Sequence, residues 1–564
     1  MSIQQSADSS LPVPIQPSTA ALRGRWMWGL GILMIACVAQ AVLWTLWWDD
    51  PTHFNMSILF VWPAALFALT IWWIFFSGWS WVIRLGSVAS VAAMVVGFFC
   101  VYRLEWDGGM VPRRVVSRSI PSAEDVARKF LKNQPAVTTE QAASNEETTT
   151  ASPPPLVAVE GDWPGFRGPR RDGIVQGGSL RRDWETAPPR EIWRHPVGRA
   201  WSSFAVVGTY AFTQEQRDEN ECVVAYDFDN GSQLWVHEDK TILAIVDANG
   251  GSGPHATPQY DDGLIYSLGG TGILNCLEAA TGKPVWSTNI LEDAGDGKVP
   301  GKPPEWGISG SPLIVDNLVI VIPGGTAKEG EIAYDKGVAA YDKRSGQLVW
   351  SHGKHPASYG SPTTETIGGT RQVLVPNGNG LSSHSLENGQ EMWFFPLENG
   401  PRVNSTSPWK LEDDSLIFGT GYGIGTARID ISGIGGEWKA KQRWFSNRFR
   451  PKFNDFVVLD GYLYGLDDGR LACLDVKNGV IKWQSGRYGY GQLLLVDDVL
   501  LIISEDGDLL LVPAVPKKSE VLATFKLFNT GFCWNHLALV RGRLLARNAN
   551  EAVCLDVSLQ KEGG

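Results

Sequence analysis

Two hydrophobic patterns divide the chain. Residues 26–48, 56–76 and 79–102 are apolar runs of 23, 21 and 24 residues, with Arg84 as their one charge. A hydrocarbon core of about 30 Å needs roughly 20 helical residues, so each run predicts a membrane-spanning helix. Trp26, Trp28, Trp47, Trp48, Trp79 and Trp81 stand at the run ends, where an interfacial aromatic belt belongs. Arg84 is placed to snorkel to that interface, and Pro63 is tolerable inside a membrane helix. A secretory leader followed by core helices fits less well, since the first run is too long and two more follow. Beyond residue 160 the pattern changes to short alternating stretches closed by turn residues, the signature of β-strands.

The strand pattern repeats. Residues 338–350, VAAYDKRSGQLVW, read as strand, turn and strand, with Gly346 suited to a turn position of positive φ. The same tail ends at Trp235, Trp286, Trp350, Trp393 and Trp483, each time with a glycine four residues earlier: Gly231, Gly282, Gly346, Gly389 and Gly479. Degenerate copies end at Trp444 and Phe525. The spacings of 51, 64, 43, 51, 39 and 42 residues match a four-stranded propeller blade of about 40–50 residues. Upstream of each tail lies another hairpin, as in residues 257–270, 310–323 and 456–469, so each repeat holds four strands. At the ends, residues 190–196 supply an outer strand with Trp193 but no hairpin before it. Residues 537–556 supply inner strands with no tryptophan strand after them. Joined, they complete one blade and leave no open sheet edge. The fold expected is all-β, a propeller of eight blades (seven if the Phe525 copy is not a blade), preceded by three transmembrane helices.

These patterns set the expected domains: a polar tail over residues 1–25, a three-helix membrane domain over 26–103, a largely disordered linker over 104–160 and a propeller over 161–564. Within the linker, Ser122 and Asp125 form a capping-box pattern opening a short amphipathic segment that ends near Gln134. Residues 138–155 are rich in Thr, Glu and Pro and bury nothing. The loop over residues 49–55 carries two aspartates and no basic residue, while Arg23 and Arg25 precede the first helix. That puts the N-terminus inside and the propeller outside. Arg103, Arg113, Arg114 and Arg118 oppose this orientation.

Charge and cysteine content narrow the functions. With 60 acidic against 49 basic residues, a net charge of −11, no nucleic-acid partner is expected. Seven cysteines occur without an adjacent pair or a CxxC, so no zinc or redox pair is signalled. Cys276, Cys473 and Cys554 share one repeat position, held by Ala225 and Ala340 elsewhere, and fall in different blades, too far apart for disulfides. His384, next to that position, is expected to be a satisfied core histidine.

Residues just before each innermost strand face the central channel. They are Arg199 and Trp201, His255, Trp306, Tyr359, Asn404, Asn454 with Asp455, Tyr490, then Trp534, Asn535 and His536. Aromatic rings with amides and a carboxylate can stack a planar ligand and satisfy its edge. They can equally fill the channel and cap strand ends. Asp455 is the candidate general base of that set. Arg167 and the Arg170-Arg171-Asp172 cluster read as a clamp for the incoming chain, or as an anion site. No catalytic triad order, P-loop or dinucleotide fingerprint occurs, and residues 419–427 are glycine-rich without a following helix.

The A-x-D-x-x-x-G-x-x-x-W tail resembles the pyrroloquinoline quinone (PQQ) repeat of quinoprotein-like propellers. Residues 161–173, GDWPGFRGPRRDG, are similar to the lead-in of bacterial PQQ-binding-like β-propeller repeat proteins. The resemblance covers roughly residues 161–556. That superfamily includes alcohol and glucose dehydrogenases holding PQQ and calcium, one glucose dehydrogenase type with transmembrane helices, and an outer-membrane-protein assembly lipoprotein without a cofactor. The resemblance implies an extracytoplasmic propeller on a cytoplasmic (inner) membrane anchor. The adjacent-cysteine disulfide of the alcohol dehydrogenases has no counterpart here; the glucose dehydrogenase type lacks it too. Three readings follow. The first is an interaction or assembly scaffold contacting the bilayer and other envelope proteins, with no cofactor or metal. The second is a PQQ- and calcium-dependent dehydrogenase of sugars or alcohols feeding membrane quinone, and the third a ligand-sensing propeller.

Overall fold

The structure, a computed structural model, describes residues 19–46, 51–106, 112–134, 156–178, 180–245, 250–295, 301, 303–324, 336–434, 437–529 and 531–559. They fall into two compact units, divided after Ile120. Residues 1–18 and 138–155 of the expected tail and tether lie outside the described residues.

The first unit is built from the three apolar runs. Helices α1 (Thr19–Leu46), α2 (Pro51–Phe76) and α3 (Trp81–Val101) contain the segments Trp26–Leu46, Ser57–Phe76 and Trp81–Val101, each long and apolar enough to cross a membrane. Their surfaces keep large apolar side chains outward, Trp28 at 75% exposure and Val82 at 82% among them. A helix apolar all round needs a lipid-like surrounding. Trp26 packs edge-on to Trp72 at 5.3 Å, joining α1 to α2. Arg84 donates to the Ile74 carbonyl near the end of α2, at 2.7 Å, and lies over the Trp81 ring. A cation at a helix C-terminus satisfies an orphan carbonyl there, a use the snorkelling expectation did not include. A two-stranded hairpin, Tyr102–Trp106 with Pro112–Ser117, follows α3.

The second unit starts with α4 (Ala123–Lys132). Its capping box is complete: Ser122 Oγ accepts from the Asp125 N–H and the Asp125 carboxylate accepts from the Ser122 N–H. The helix docks on the propeller through Phe130, stacked on His195 at 5.5 Å, and Arg128, which reaches Asp218 at 2.7 Å. The sequence reading assigns residues 104–160 to a linker. Its first part contains the hairpin and α4, the capped amphipathic segment marked by Ser122 and Asp125, and α4 is held through Phe130 and Arg128 by partners far along the chain.

Among the described residues, seven four-stranded antiparallel sheets and one that gains a fifth, parallel strand form the eight blades of the propeller. Blade 1 runs Ala205–Val207, Tyr210–Arg217, Asn220–Asp227 and Gln233–Asp239 from the axis outward. The first turn of several blades is left-handed at both central residues, as at Asp262–Gly263 (φ 46° and 83°) and Asp460–Gly461 (φ 50° and 80°). That is the twist-compatible hairpin turn. Blade 7 ends at Ala523–Lys526 with Phe525, so the degenerate copy is a blade. Blade 5 is stretched into a long outer hairpin, Gly425–Ile434 with Glu437–Ser446. Blade 8 joins Ala538–Val540, Arg543–Arg547 and Glu551–Asp556 to Arg190–Pro196. The two ends of the region close the ring there.

The glycine and tryptophan of the tail meet across blades. Trp235 of blade 1 donates from Nε1 to the Ala279 carbonyl of blade 2 at 3.0 Å, and a Cβ on Gly282 would fall 2.5 Å from its ring. Trp193, Trp286, Trp350 and Trp444 dock likewise on Gly231, Gly346, Gly389 and Gly479. Trp393 packs in one apolar cluster with Leu416 and Phe418 of blade 5, whose tail has Ala440 four residues before Trp444, and donates to Gln372 of its own blade. Opposite the tryptophan, on the neighbouring strand, stand Ala225, Cys276, Ala340, Cys473 and Cys554. All five thiols of the propeller are buried and free. His384 is buried and bonded to Ser382 Oγ and the Gly389 carbonyl, a satisfied core histidine.

Candidate functional site

The lead-in segment, residues 161–173, runs along the propeller axis. Trp163 exchanges backbone hydrogen bonds with Val206 of blade 1, and the Pro164 carbonyl accepts from Tyr260 of blade 2. Arg171 reaches the Ser311 and Pro312 carbonyls of blade 3. Arg167 reaches the Phe456 carbonyl of blade 6, and Ile174–Val175 adds a parallel fifth strand to Leu495–Val496 of blade 7. Phe166 meets His536 of blade 8 edge-on at 4.9 Å. A 13-residue segment that touches the innermost strands of six blades lies in the channel. The clamp expectation is thus relocated: these arginines grip from inside the ring.

Above the segment the blades are tied by a belt of side chains at one repeat position. Thr257, Ser311 and Ser361 accept the N–H of Ser203, Thr257 and Ser311 respectively, each from the blade before. Asp455 takes the same place in blade 6 and accepts the Ser407 N–H. It is 4% exposed and faces Arg167 Nη1 at 3.5 Å; His536 Nε2 lies 4.0 Å away. So buried, the carboxylate stands as counter-ion to Arg167. Burial pushes the His536 imidazole down to about 4, with Asp455 opposing and Arg167 reinforcing the shift. Arg171 is pulled down to about 9 by burial, with Asp455 raising it and Arg167 lowering it.

Two residues before the belt, the side chains form the channel mouth. Trp201 stacks on Phe532 at 5.0 Å and on Trp534 at 5.1 Å; Phe453 meets Trp534 at 5.1 Å and Tyr490 at 5.3 Å. Lys452, 5% exposed, holds Nζ over the rings of Tyr422, Phe453 and Tyr490 at 4.6–5.4 Å. Glu505 accepts from Trp534 Nε1 at 2.8 Å. Across the mouth, Trp306 and Tyr359 pair edge-on at 5.6 Å, and His255 Nδ1 bonds Ser309 Oγ. Burial brings His255 to about 4 as well.

The sequence-derived set therefore divides. Trp201, His255, Trp306, Tyr359, Tyr490 and Trp534 face the mouth. Asn404 and Asn535 are structural: Asn404 Nδ2 donates to the Asn377 carbonyl and Asn535 Nδ2 to the Ser202 carbonyl. Asn454 is 2% exposed and accepts the Lys452 N–H. Arg199 lines a cavity of about 250 Å³ under α4 instead of the mouth. Phe453, Phe532, Tyr422, Lys452 and Glu505 were not legible. Blades 6–8 lack the Ser/Thr-Pro marker of blades 2–5, which displaces an alignment from Phe453 to Asn454, and Tyr422 and Phe532 come from irregular loops.

The wall accepts a flat ring, but the charges do not fit a calcium-bound quinone. The belt's one carboxylate, Asp455, is paired with Arg167 and so is not free to hold a metal. Among the described residues no three His, Cys, Asp or Glu side chains gather as metal ligands.

A closed eight-bladed ring of PQQ-type repeats is the class this fold defines. Residues 186–485, more than half the chain, match the family described as outer membrane protein assembly factor BamB, and the chain belongs to that family. It is 26% identical over 202 residues to the dehydrogenase subunit of the alcohol dehydrogenase (quinone) of Acetobacter aceti, covering 33% of this chain and 24% of that one. It is 20% identical over 275 residues to the outer membrane protein assembly factor BamB of Yersinia pestis, covering 45% and 64%. The chain thus spans about a quarter of the first relative and under two thirds of the second. Among solved structures it is similar to BamB from Moraxella catarrhalis (15% identity, TM-score 0.47, 65% of this chain and 99% of that one). It is also similar to the quinohemoprotein alcohol dehydrogenase of Comamonas testosteroni (13%, 0.49, 72% and 82%).

Proposed function

We propose that this chain is a membrane-anchored scaffold whose propeller works outside the cytoplasmic membrane, binding other envelope proteins and carrying out no redox chemistry. The observation that carries this reading is Arg167, brought up the axis by the chain's own lead-in and paired with Asp455. It occupies the one carboxylate of the belt, which would otherwise be free to hold a cofactor metal. The family's description as an assembly factor supports the same reading. The aromatic mouth and the quinone-dependent relatives support the competing reading, a PQQ-dependent dehydrogenase of sugars or alcohols. One experiment separates them. Full-length protein in detergent is incubated with PQQ and calcium, then assayed by absorbance and by dye reduction with glucose and with ethanol. The scaffold reading expects neither bound quinone nor turnover; both together overturn it. A C-terminal alkaline phosphatase fusion is expected to be active, and an inactive, expressed fusion would place the propeller on the other side.

A further inference from the structure

The apolar helices carry one charge that the chain itself does not balance. Among the described residues from Trp26 to Val101, Arg84 is the one Lys or Arg, and no Asp or Glu occurs. A cation within a membrane helix is costly unless a partner answers it. Of the five N–H donors of a guanidinium, one at Nη1 reaches the Ile74 carbonyl at 2.7 Å. The Trp81 ring lies 5.0 Å below the group. Nε has no acceptor, and among the described residues no carboxylate pairs with Arg84.

The position of Arg84 suits a lipid headgroup. Helix α3 begins at Trp81, so Arg84 lies about 5 Å along the axis from its start. Trp79 and Trp81 are exposed there, as interfacial tryptophans are. The turn between α2 and α3 offers further donors. Ser80, the N-cap, makes no side-chain cap bond, and no acidic residue stands in the first turn. The N–H groups of that turn therefore present the positive end of the helix without a capping oxygen. Ser77, 1% exposed in the same turn, has a hydroxyl without a hydrogen-bond partner. Apolar surface adjoins these groups: Phe75, edge-on to Trp81 at 6.2 Å, is exposed, as are Val82 and Leu85.

We propose that Arg84, with the turn between α2 and α3, binds the phosphate of an anionic phospholipid whose acyl chains lie on the adjoining apolar surface. A phosphodiester takes the Nε–Nη2 edge of a guanidinium through two parallel bonds, which leaves Nη1 on Ile74. The net negative headgroup supplies the missing counter-charge. A zwitterionic headgroup does not, because its own ammonium cancels its phosphate. The bound lipid then joins the end of α2 to the start of α3 through one guanidinium.

The site requires that the helices lie in a membrane, which partition of the full-length chain into detergent micelles reads separately. In detergent, full-length protein is offered phosphatidylglycerol or phosphatidylcholine at equal concentration, and retained lipid is counted by native mass spectrometry. One phosphatidylglycerol per chain is expected. Its preference over phosphatidylcholine is expected to be roughly fivefold or more, the worth of one basic residue at an anionic surface. Arg84→Gln is expected to abolish that preference, and Arg84→Lys, a charge without the fork, to keep part of it. Arg118→Gln, at the other end of α3 where Nε meets the Phe99 carbonyl, is expected to keep all of it. Inorganic phosphate at millimolar concentration is expected not to displace the lipid. Equal retention of the two lipids by the unaltered protein, a preference unchanged in Arg84→Gln, or displacement by phosphate overturns the proposal. A chain that stays out of micelles overturns the membrane reading with it.

Discussion

At the residue scale, the channel stores its stability in neutral imidazoles. His255 and His536 titrate near 6.5 in an unfolded chain and near 4 in the fold. Between those values the unfolded chain binds more protons, so stability present above pH 6.5 is lost as the pH falls towards 4. Each histidine contributes up to about 3 kcal/mol over that window. Denaturant unfolding at pH 7 and pH 4 checks this. His536→Gln is expected to remove its share of the pH dependence, and equal dependence in both proteins would refute the assignment. Asp455 and His536 were both legible as channel residues, because each directly precedes an innermost strand. Their partner Arg167 was not. It lies 288 residues before Asp455, in a segment without repeat or period, and only closure of the ring brings it there.

At the element scale, the glycine of five tails does two jobs, turning the chain and carrying the preceding blade's tryptophan. Gly282 has φ 71° and lies under Trp235. Gly263 has φ 83° with nothing within 4 Å of an added Cβ. Gly263→Ala is therefore expected to cost only the left-handed backbone term, about 1–2 kcal/mol. Gly282→Ala adds overpacking of a further 1–3 kcal/mol or so. Denaturant midpoints of the two variants give the difference, and equal losses would remove the docking term. The strand–turn–strand pattern was plain in the alternation around Gly346. That its glycine serves the preceding blade's tryptophan was not, since a local pattern specifies a turn's shape and not what rests on it.

At the scale of the whole molecule, the seam between blades 8 and 1 decides whether there is a ring. Arg547, fully buried, donates to the Gly198 carbonyl at 2.7 Å and the Gln214 carbonyl at 3.0 Å. Glu215 lies close by. Burial pushes its carboxyl up, but Arg217, Arg547 and the Tyr226 hydroxyl together hold it below its ordinary value. One continuous apolar cluster spans blades 7, 8 and 1. A chain ending at Asn548 lacks the strand Glu551–Asp556, which leaves Arg190–Pro196 without its partner and Trp193 without its opposite. Loss of the single cooperative unfolding transition and self-association are expected, read by calorimetry and size-exclusion chromatography. A monomer melting as the full chain does would show the strand to be dispensable. This closure was legible because one end carries a lone outer strand with Trp193 and the other the three inner strands that lack it.

The axial segment also ties together the first and the last parts of the propeller to be made. Residues 161–173 leave the ribosome before any blade, and the ring is finished only when residues 551–556 arrive. The first piece made is thus gripped by blades from both ends of the repeat array, and its contact with His536 exists only once the last blade is in place.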